Sequence, residues 1–298
     1  MTILVIGKNS QLGKEFIEVT RNNVQKFLFA DSTDLNLLNR KEISKFINLH
    51  KPNIVINFAA YTNVEGAEKE TDLCLKMNAE APLYLSEVTN EISSYLIHIS
   101  TDYVFGNKGK APFSPGDQTD PLNFYGKSKL IGENNILSNN PKSLIIRTSS
   151  LFSFYNNNFV KNMIMKLLKG DDLNVISDQK ISLTSAKDLA KFIFKICESE
   201  LINLIIKKNR IINYTNTGFT NWYEVTTYIK ECLNEKALTS SQINPILAKD
   251  WKSVAKRPQD SRLNIDYNFF NSINIGLSDW KEQVSAIVID ELNRLNDE

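Results

Sequence analysis

The stretch ILVIGKNSQLG, from Ile3 to Gly13, joins a short apolar run to the start of a segment with helical periodicity. Gly7 and Gly13 take the outer positions of a G-x-x-G-x-x-G spacing, and Ser10 takes the middle one. This spacing suits a tight turn in which backbone N–H groups at a helix N-terminus approach a pyrophosphate. It therefore predicts the strand, turn and helix of a dinucleotide site, with an ordinary strand-to-helix turn as the alternative.

Short apolar runs alternate with helical segments through the first half of the chain. The predicted strands are 3–7, 26–31, 53–60, 95–100 and 143–149, and the predicted helices are 11–22, 39–50, 72–92 and 122–139. Because parallel neighbours need crossover connections, this alternation predicts an α/β fold with a doubly wound parallel sheet of the Rossmann type. Ligands are then expected beside the carboxyl ends of the strands.

The pattern loosens after about residue 150. A helix is predicted at 159–169, a strand at 172–176, a helix at 186–199 and a strand at 210–216 that returns to the main sheet, followed by short helices with irregular connections. We expect a Rossmann domain formed by 1–149 plus about 181–216. A smaller mixed substrate-binding lobe would comprise about 150–180 plus 217–298.

Composition narrows the class of protein. The 298 residues are 42% hydrophobic and 23% charged, as in soluble globular chains, and the formal net charge of +1 gives no general reason to expect nucleic acid or a membrane as partner. The opening MTILVIG lacks a basic leader and is too short to cross a bilayer. Cys74, Cys197 and Cys232 are scattered, which fits reduced thiols. We therefore expect a cytoplasmic protein.

Asp31 closes the second predicted strand, eighteen residues after Gly13. An acid near this point commonly binds the ribose hydroxyls of the adenosine. Because a carboxylate repels a 2′-phosphate, Asp31 favours NADH over NADPH. Asp34 lies close by, and capping of the next helix explains either residue equally well.

Thr101 follows an apolar strand, and Tyr125 and Lys129 lie four residues apart at the start of a predicted helix, on one face of it. Hydride transfer to a ketone leaves negative charge on oxygen, which needs a proton donor and a fixed hydrogen bond. We expect Tyr125 to donate the proton and Thr101 to bind the carbonyl. Lys129 would favour the phenolate and hold the nicotinamide ribose. The spacing alone is expected once by chance, so the position at the strand end carries the prediction.

Eight motifs occur in order along nearly the whole chain: GKNSQLG, NFAAYTNVEGAE, STDYVF, FYGKSKLIGE, IIRTSSLF, NFV, SDQ and KRPQDSRLN. Their order and spacing resemble the dTDP-4-dehydrorhamnose reductase family, within the extended short-chain dehydrogenases/reductases. The resemblance implies NAD(P)H-dependent reduction of the 4-keto group of a nucleotide-activated 4-keto-6-deoxyhexose, toward a 6-deoxysugar for surface polysaccharide.

The resemblance also implies site residues. Thr101, Tyr125 and Lys129 would be catalytic. With the turn glycines and Asp31, the expected cofactor contacts are Gly7, Ser10, Gln11, Leu12, Gly13, Asp31, Asp34, Leu35, Ala59, Ala60, Tyr61, Tyr125 and Lys129. The expected substrate contacts are Thr62, Val64, Thr101, Asp102 and Arg257, the last from a basic cluster for which a salt-bridged surface is the alternative.

Two departures from the family pattern concern the sugar. Ser150 stands where the related R-T-S-W-V-Y motif has tryptophan, and Ser182 and Leu183 replace the glycine and proline of DQxGxPT. The sequence therefore supports the reductase activity better than it supports rhamnose as the sugar that is formed. Two other functions stay open: a sugar-nucleotide epimerase that holds NAD⁺ tightly, and a non-catalytic regulatory subunit like the beta subunit of methionine adenosyltransferase.

His50 and His98 are the only histidines. His98 lies inside a predicted buried strand and His50 at a helix end, so both are expected to fill the core or cap a helix. No cluster has metal-ligand spacing, so no metal residue is assigned; some relatives use Mg²⁺ at a subunit contact, which does not map onto this sequence. The expected partner is a nucleotide-sugar substrate, and a homodimer is left open.

Overall fold

The computed structural model describes residues 1–24, 26–197, 200–234 and 238–297. The strands are β1 Thr2–Ile6, β2 Lys26–Ala30, β3 Ile54–Asn57, β4 Tyr95–Thr101, β5 Ser143–Thr148, β6 Leu151–Phe152, β7 Leu173–Ile176, β8 Lys180–Ser182, β9 Thr184–Ser185, β10 Ile211–Asn213, β11 Phe219–Asn221 and β12 Ile243–Ile246. The helices are α1 Gln11–Thr20, α2 Arg40–His50, α3 Val64–Ala67, α4 Thr71–Leu75, α5 Ala81–Glu91, α6 Phe124–Asn139, α7 Phe159–Leu168, α8 Ala186–Cys197, α9 Leu201–Lys208, α10 Trp222–Asn234, α11 Tyr267–Ser272 and α12 Trp280–Asp297. A π-helical turn, Lys76–Glu80, joins α4 to α5.

Six strands form one parallel sheet in the order β10-β5-β4-β3-β1-β2. This confirms the predicted doubly wound α/β fold. β1, β3 and β5 are buried along nearly their whole length, as expected for parallel strands covered on both faces. The strand order reverses between β1 and β3, and in such sheets the crevice outside the carboxyl ends at this point holds ligands.

The first half of the chain follows the sequence expectations closely. The predicted helix 72–92 is found as α4, the π-helical turn and α5. The predicted return strand is also confirmed, because Ile211 of β10 pairs in parallel with Ile145 of β5. The expectation of only short helices after residue 217 was wrong, since α10 has 13 residues and α12 has 18.

Apolar clusters cover both faces of the sheet, and a third lies away from it. Phe16 of α1 and Ile193 of α8 belong to the cluster on one face, and Ile43 of α2 belongs to the cluster on the other. The third cluster joins α7, α10, α12 and β7, with Ile164 and Ile229 fully buried in it. Each such side chain contributes about 1.5–3 kcal/mol through burial. Phe270 of α11 packs in the first cluster, against the helices of the sheet.

None of the helices in the described part of the chain combines the length and apolar character needed to cross a membrane.

Candidate active site

The turn between β1 and α1 brings backbone very close to backbone. Gly7 has φ of 90°, in the left-handed region that favours glycine. A Cβ at Gly7 would lie 2.8 Å from Ala59 N, and one at Gly13 would lie 2.3 Å from Gly7 O. Ser10 caps α1, because its Oγ accepts from Gly13 N–H at 3.0 Å and donates to Gly7 O at 2.8 Å. The turn is a cradle of backbone groups at a helix N-terminus, which suits a pyrophosphate.

A cavity of about 510 Å³ opens beside this turn. Eight of the sequence-predicted site residues line it: Ser10, Gln11, Leu12, Ala60, Thr62, Thr101, Tyr125 and Lys129. The Oε1 atom of Gln11 is buried and has no hydrogen-bond partner among the described residues. A buried polar atom without a partner is costly, so this atom fits a ligand that brings a donor. The cradle and the cavity are together compatible with a bound dinucleotide.

Asp31 and Asp34 lie at the exposed side of the same turn, around Lys8. Lys8 Nζ is 3.2 Å from Asp31 Oδ2 and 2.6 Å from Asp34 Oδ2. Asp31 also accepts from the backbone and hydroxyl of Thr33, and these hydrogen bonds hold the pKa of its carboxyl well below the usual range. Lys8, which no sequence motif indicated as a site residue, neutralises part of the negative charge at this edge.

The first turn of α6 places Tyr125 beside Thr101. Asn123 Oδ1 accepts from Gly126 N–H at 2.8 Å, and Glu68 Oε1 accepts from Phe124 N–H at 2.7 Å, so the helix start is fixed from two sides. Tyr125 is half-buried, and its hydroxyl pairs with that of Thr101. Burial raises the pKa of the Tyr125 phenol. The site therefore keeps this hydroxyl protonated.

Asp102 lies directly behind Thr101. Its carboxylate accepts from Thr101 Oγ1 at 3.1 Å and from Ser149 Oγ at 2.8 Å. The side chain is only 3% exposed, and burial raises the pKa of its carboxyl to about 6. The hydroxyl of Thr101 thus donates to Asp102, and its oxygen accepts from Tyr103 N–H at 3.2 Å.

Lys129 is bound to His98 rather than to Tyr125. Its Nζ lies 3.0 Å from His98 Nε2 and donates to Ile99 O at 2.7 Å. Burial lowers the pKa of Lys129 to about 8 and that of His98 well below its ordinary value. His98 was expected only to fill the core. The signal available in the sequence was its position three residues before Thr101 in the same strand.

Arg257 lies at a second cavity of about 540 Å³, together with Trp251 and Lys256. Its guanidinium is 2.8 Å from Glu65 Oε1, which lies next to Val64 at the start of α3, and it also donates to Ser253 Oγ. Arg257 therefore forms a salt bridge with Glu65 and also lines the second cavity.

Other predicted residues take up varied positions. Ala59 donates its N–H to Asn57 Oδ1 at 3.0 Å, and Tyr61 Oη donates to Glu70 Oε2 at 3.0 Å. Leu35 is 2% exposed and packs in the apolar cluster beneath the sheet.

The two departures from the family pattern are placed differently. Ser150 lines the first cavity, with φ of 46°. Ser182 and Leu183 are buried, and Ser182 Oγ accepts from Leu263 N–H at 3.2 Å. Ser150 is therefore the departure that faces the site.

The described residues contain no group of three or more His, Cys, Asp or Glu side chains placed to hold a metal ion. The Mg²⁺ considered from the sequence has no ligand set there to which it could be assigned.

The chain is similar to known proteins over nearly its whole length. The family model described as "RmlD substrate binding domain" matches residues 1–293. A dTDP-4-dehydrorhamnose reductase of Aggregatibacter actinomycetemcomitans is 33% identical over 96% of this chain and 97% of its own length. The chain belongs to the dTDP-4-dehydrorhamnose reductase family. It is thus a member of a family of NAD(P)H-dependent oxidoreductases.

Solved structures of this family superpose closely on the chain. A dTDP-4-dehydrorhamnose reductase of Clostridium acetobutylicum has a TM-score of 0.88 and 33% identity, covering 98% of this chain and all of its own. The enzyme of Bacillus anthracis, solved in complex with NADP, has a TM-score of 0.88 and 28% identity, covering 97% of this chain and 99% of its own. The family resemblance inferred from the motifs is confirmed.

Proposed function

We propose that this reductase-family chain reduces the 4-keto group of a nucleotide-activated 4-keto-6-deoxyhexose with NADH or NADPH. The observation that carries the proposal is that Thr101, Tyr125 and Lys129 line one cavity together with Ser10, Gln11 and Leu12 of the glycine turn. A reductase needs both a cradle for the cofactor and a proton donor beside the carbonyl.

Each residue has a separate task in this proposal. The bound cofactor supplies the hydride. Tyr125 Oη donates the proton to the carbonyl oxygen, and the raised pKa of the phenol keeps that proton available. Thr101 holds the carbonyl oxygen by a hydrogen bond, for which its proton turns from Asp102 toward the substrate. Lys129, four residues after Tyr125 on the same face of α6, binds the nicotinamide ribose.

Binding of the sugar nucleotide is proposed at the two cavities. Thr62, Val64 and Asp102 would border the sugar; Thr62 and Ser150 line the first cavity, and Ser150 stands where the family motif has tryptophan. Arg257 at the second cavity would contact the diphosphate, because a guanidinium binds phosphate oxygens through paired hydrogen bonds.

We also propose that NADH is preferred over NADPH, because the Asp31 and Asp34 carboxylates would lie near a 2′-phosphate. Lys8 reduces this preference but does not reverse it, since one cation faces two carboxylates. Asp31→Asn should raise the ratio of kcat/KM for NADPH to that for NADH about fivefold. A wild-type protein that favours NADPH would contradict the proposal.

The activity is tested by following NADH absorbance with a panel of dTDP-, UDP-, GDP- and CDP-4-keto sugars. Turnover of at least one is expected, and Tyr125→Phe should lower it at least about 100-fold with little change in cofactor affinity. Tyr95→Phe is the matched control, because Tyr95 begins β4 at the end opposite Thr101; this variant should keep its turnover.

The other outcomes identify the alternatives. Cofactor binding without turnover of any sugar would refute the reductase and favour a regulatory subunit. Stoichiometric bound NAD⁺ without net consumption of NADH would favour an epimerase. Near wild-type turnover in Tyr125→Phe would refute the assignment of the proton donor.

The division into a Rossmann domain and a substrate lobe stays a prediction, as do the cytoplasmic location and the homodimer. Limited proteolysis with mass spectrometry would test the first, and sedimentation equilibrium the last.

A further inference from the structure

One carboxylate of α3 binds four groups that lie within five consecutive residues elsewhere in the chain. Glu65 Oε1 accepts from Ser253 Oγ at 2.5 Å and lies 2.8 Å from Arg257 Nη2. Glu65 Oε2 accepts from the N–H of Val254 at 2.8 Å and from that of Ala255 at 3.3 Å. Because a carboxylate only accepts, both of its oxygens are used by this contact.

The contact fixes the guanidinium of Arg257. We call residues 253–257 the arginine segment. Arg257 Nη1 donates to the Ser253 hydroxyl, which in turn donates to Glu65. Glu65, Ser253 and Arg257 thus form a closed ring of contacts in which both terminal nitrogens of the guanidinium are held. A guanidinium has five N–H donors, so donors remain for a ligand.

Glu65 holds Arg257 from outside the second cavity. Arg257, Lys249 and Lys256 line that cavity, and the described residues of its wall include no Asp or Glu. Glu65 itself lines neither the first cavity nor the second. A wall with three cations attracts an anion. Glu65 therefore acts on a bound anion through Arg257 and not by contact with it.

The arginine segment has a second anchor on the helix that carries Tyr125. Asn123 Nδ2 donates to Lys256 O at 2.8 Å, and Asn123 Oδ1 caps α6 by accepting from Gly126 N–H at 2.8 Å. The segment is thus tied to α3 through a carboxylate and to α6 through an amide. Loss of Glu65 should loosen the segment without releasing it from the protein.

We propose that Glu65 is a positioning residue, which orders the arginine segment around its carboxylate and so fixes the Arg257 guanidinium at the second cavity. The inference rests on the proposed function in one respect, that the anion bound there is the diphosphate of the sugar nucleotide. A guanidinium that is already fixed loses less conformational freedom on binding, so its affinity for the diphosphate is higher.

The charge of Glu65 separates positioning from simple electrostatics. The Ser253 hydroxyl, and after it the backbone N–H groups and Arg257, lower the pKa of the Glu65 carboxyl to about 2, so this group is ionised near neutrality. A carboxylate that acted only through its charge would repel a diphosphate, and its removal would strengthen binding. Removal of a positioning residue weakens binding. The two roles therefore predict changes in affinity of opposite sign.

Hydrogen exchange tests the ordering of the segment without any substrate. In Glu65→Ala, the amides of Val254 and Ala255 lose their acceptor. Their exchange, followed by mass spectrometry of the full-length protein near pH 7, should become at least about tenfold faster. Glu18→Ala is the matched control, because Glu18 is 39% exposed, against 41% for Glu65, and pairs with Arg21 at 3.0 Å. Unchanged exchange of the two amides in Glu65→Ala, or equal acceleration in the control, would overturn the proposal.

Calorimetric titration with dTDP, UDP, GDP and CDP tests the effect on the diphosphate. Glu65→Ala should weaken binding of the tightest of these nucleotides about tenfold. Arg257→Ala should weaken it at least as much. Because Glu65 acts through Arg257, the double variant should bind within about twofold of Arg257→Ala alone. Glu18→Ala should bind as the wild type does.

Three results of the titration would overturn the proposal: unchanged or tighter binding in Glu65→Ala, losses that multiply in the double variant, or a wild type that binds none of the four nucleotides. A general loss of folding would lower the fraction of active protein in Glu65→Ala, which the binding stoichiometry reports separately from affinity. A wild type that binds a nucleoside diphosphate but reduces no keto sugar would refute the proposed reaction alone.

Discussion

Replacing Asp102 by asparagine should raise the free energy of unfolding at neutral pH and leave it nearly unchanged at acidic pH. The Asp102 carboxyl is 3% exposed, and burial raises its pKa to about 6 from an ordinary value of 3.8. The folded state therefore binds this proton more tightly than the unfolded state does. Its contribution to stability is fully present below about pH 4 and is lost as the pH rises through about 6.

The two pKa values give the magnitude. At about 1.4 kcal/mol per pH unit, ionisation of Asp102 costs the folded state about 3 kcal/mol at alkaline pH. About 2 kcal/mol of this cost develops between pH 4.5 and pH 8. Asparagine cannot ionise and escapes the cost, while its amide oxygen still accepts from one hydroxyl and the Ser149 hydroxyl can turn to accept from the amide.

The assay is urea unfolding of the wild type and of Asp102→Asn at about pH 4.5 and pH 8. The difference in unfolding free energy should move by about 2 kcal/mol in favour of the variant at the higher pH. Asp72→Asn, which removes an exposed carboxylate paired with Lys76, controls for the loss of one charge from the molecule. A difference that is the same at both pH values, within about 0.5 kcal/mol, would refute the idea that burial opposes ionisation of Asp102.

Two further predictions concern α6. Glu133→Gln should lower the unfolding free energy by about 3–5 kcal/mol, because Arg147 would stay buried without its charged partner. Arg147 donates to both oxygens of the Glu133 carboxylate, at 2.9 and 2.6 Å. A loss below about 1 kcal/mol in urea unfolding would contradict this. Gly126→Ala should lower kcat/KM at least about tenfold, because its Cβ would lie 2.1 Å from Tyr103 O and push the helix start away. Gly116→Ala, whose Cβ meets nothing within 4 Å, is the control, and equal activity of the two variants would count against the reasoning.

The sheet could be predicted from the sequence because its signal is local. Each of the first five strands is an apolar run of a few residues between polar turns, and burial on both faces requires such a run. The predicted strand 143–149 and the observed β5, Ser143–Thr148, differ by one residue. The strand pairs β6 with β9 and β8 with β11 were not predicted, since strands of two or three residues form through pairing partners distant in sequence. The length of α10 was predictable, because Val225, Ile229 and Leu233 recur every four residues.

The candidate site also has features that the sequence predicts and others that it does not. The glycine turn and the Tyr125–Lys129 pair follow from spacing within one element, so the sequence carries them. The contact between His98 and Lys129 joins a strand to a helix 31 residues away, and the hydrophobic periodicity of the sequence gives no sign of such a contact. Lys129 was therefore expected to lie beside the Tyr125 phenol. In the free protein its hydrogen-bond partner is His98, which was expected only to fill the core.

Burial links the separate observations at this site. It raises the pKa of Asp102 to about 6, lowers that of Lys129 to about 8 and raises that of Tyr125, so in each case it favours the uncharged form. The first two values lie on either side of neutrality, where a small change in environment alters the protonation state. A ligand that excludes more water from the cavity would shift both groups further toward their neutral forms. Cofactor binding should therefore be accompanied by proton uptake at Asp102 and proton release at Lys129, and these contributions offset each other in the net proton count while changing which residue holds the charge.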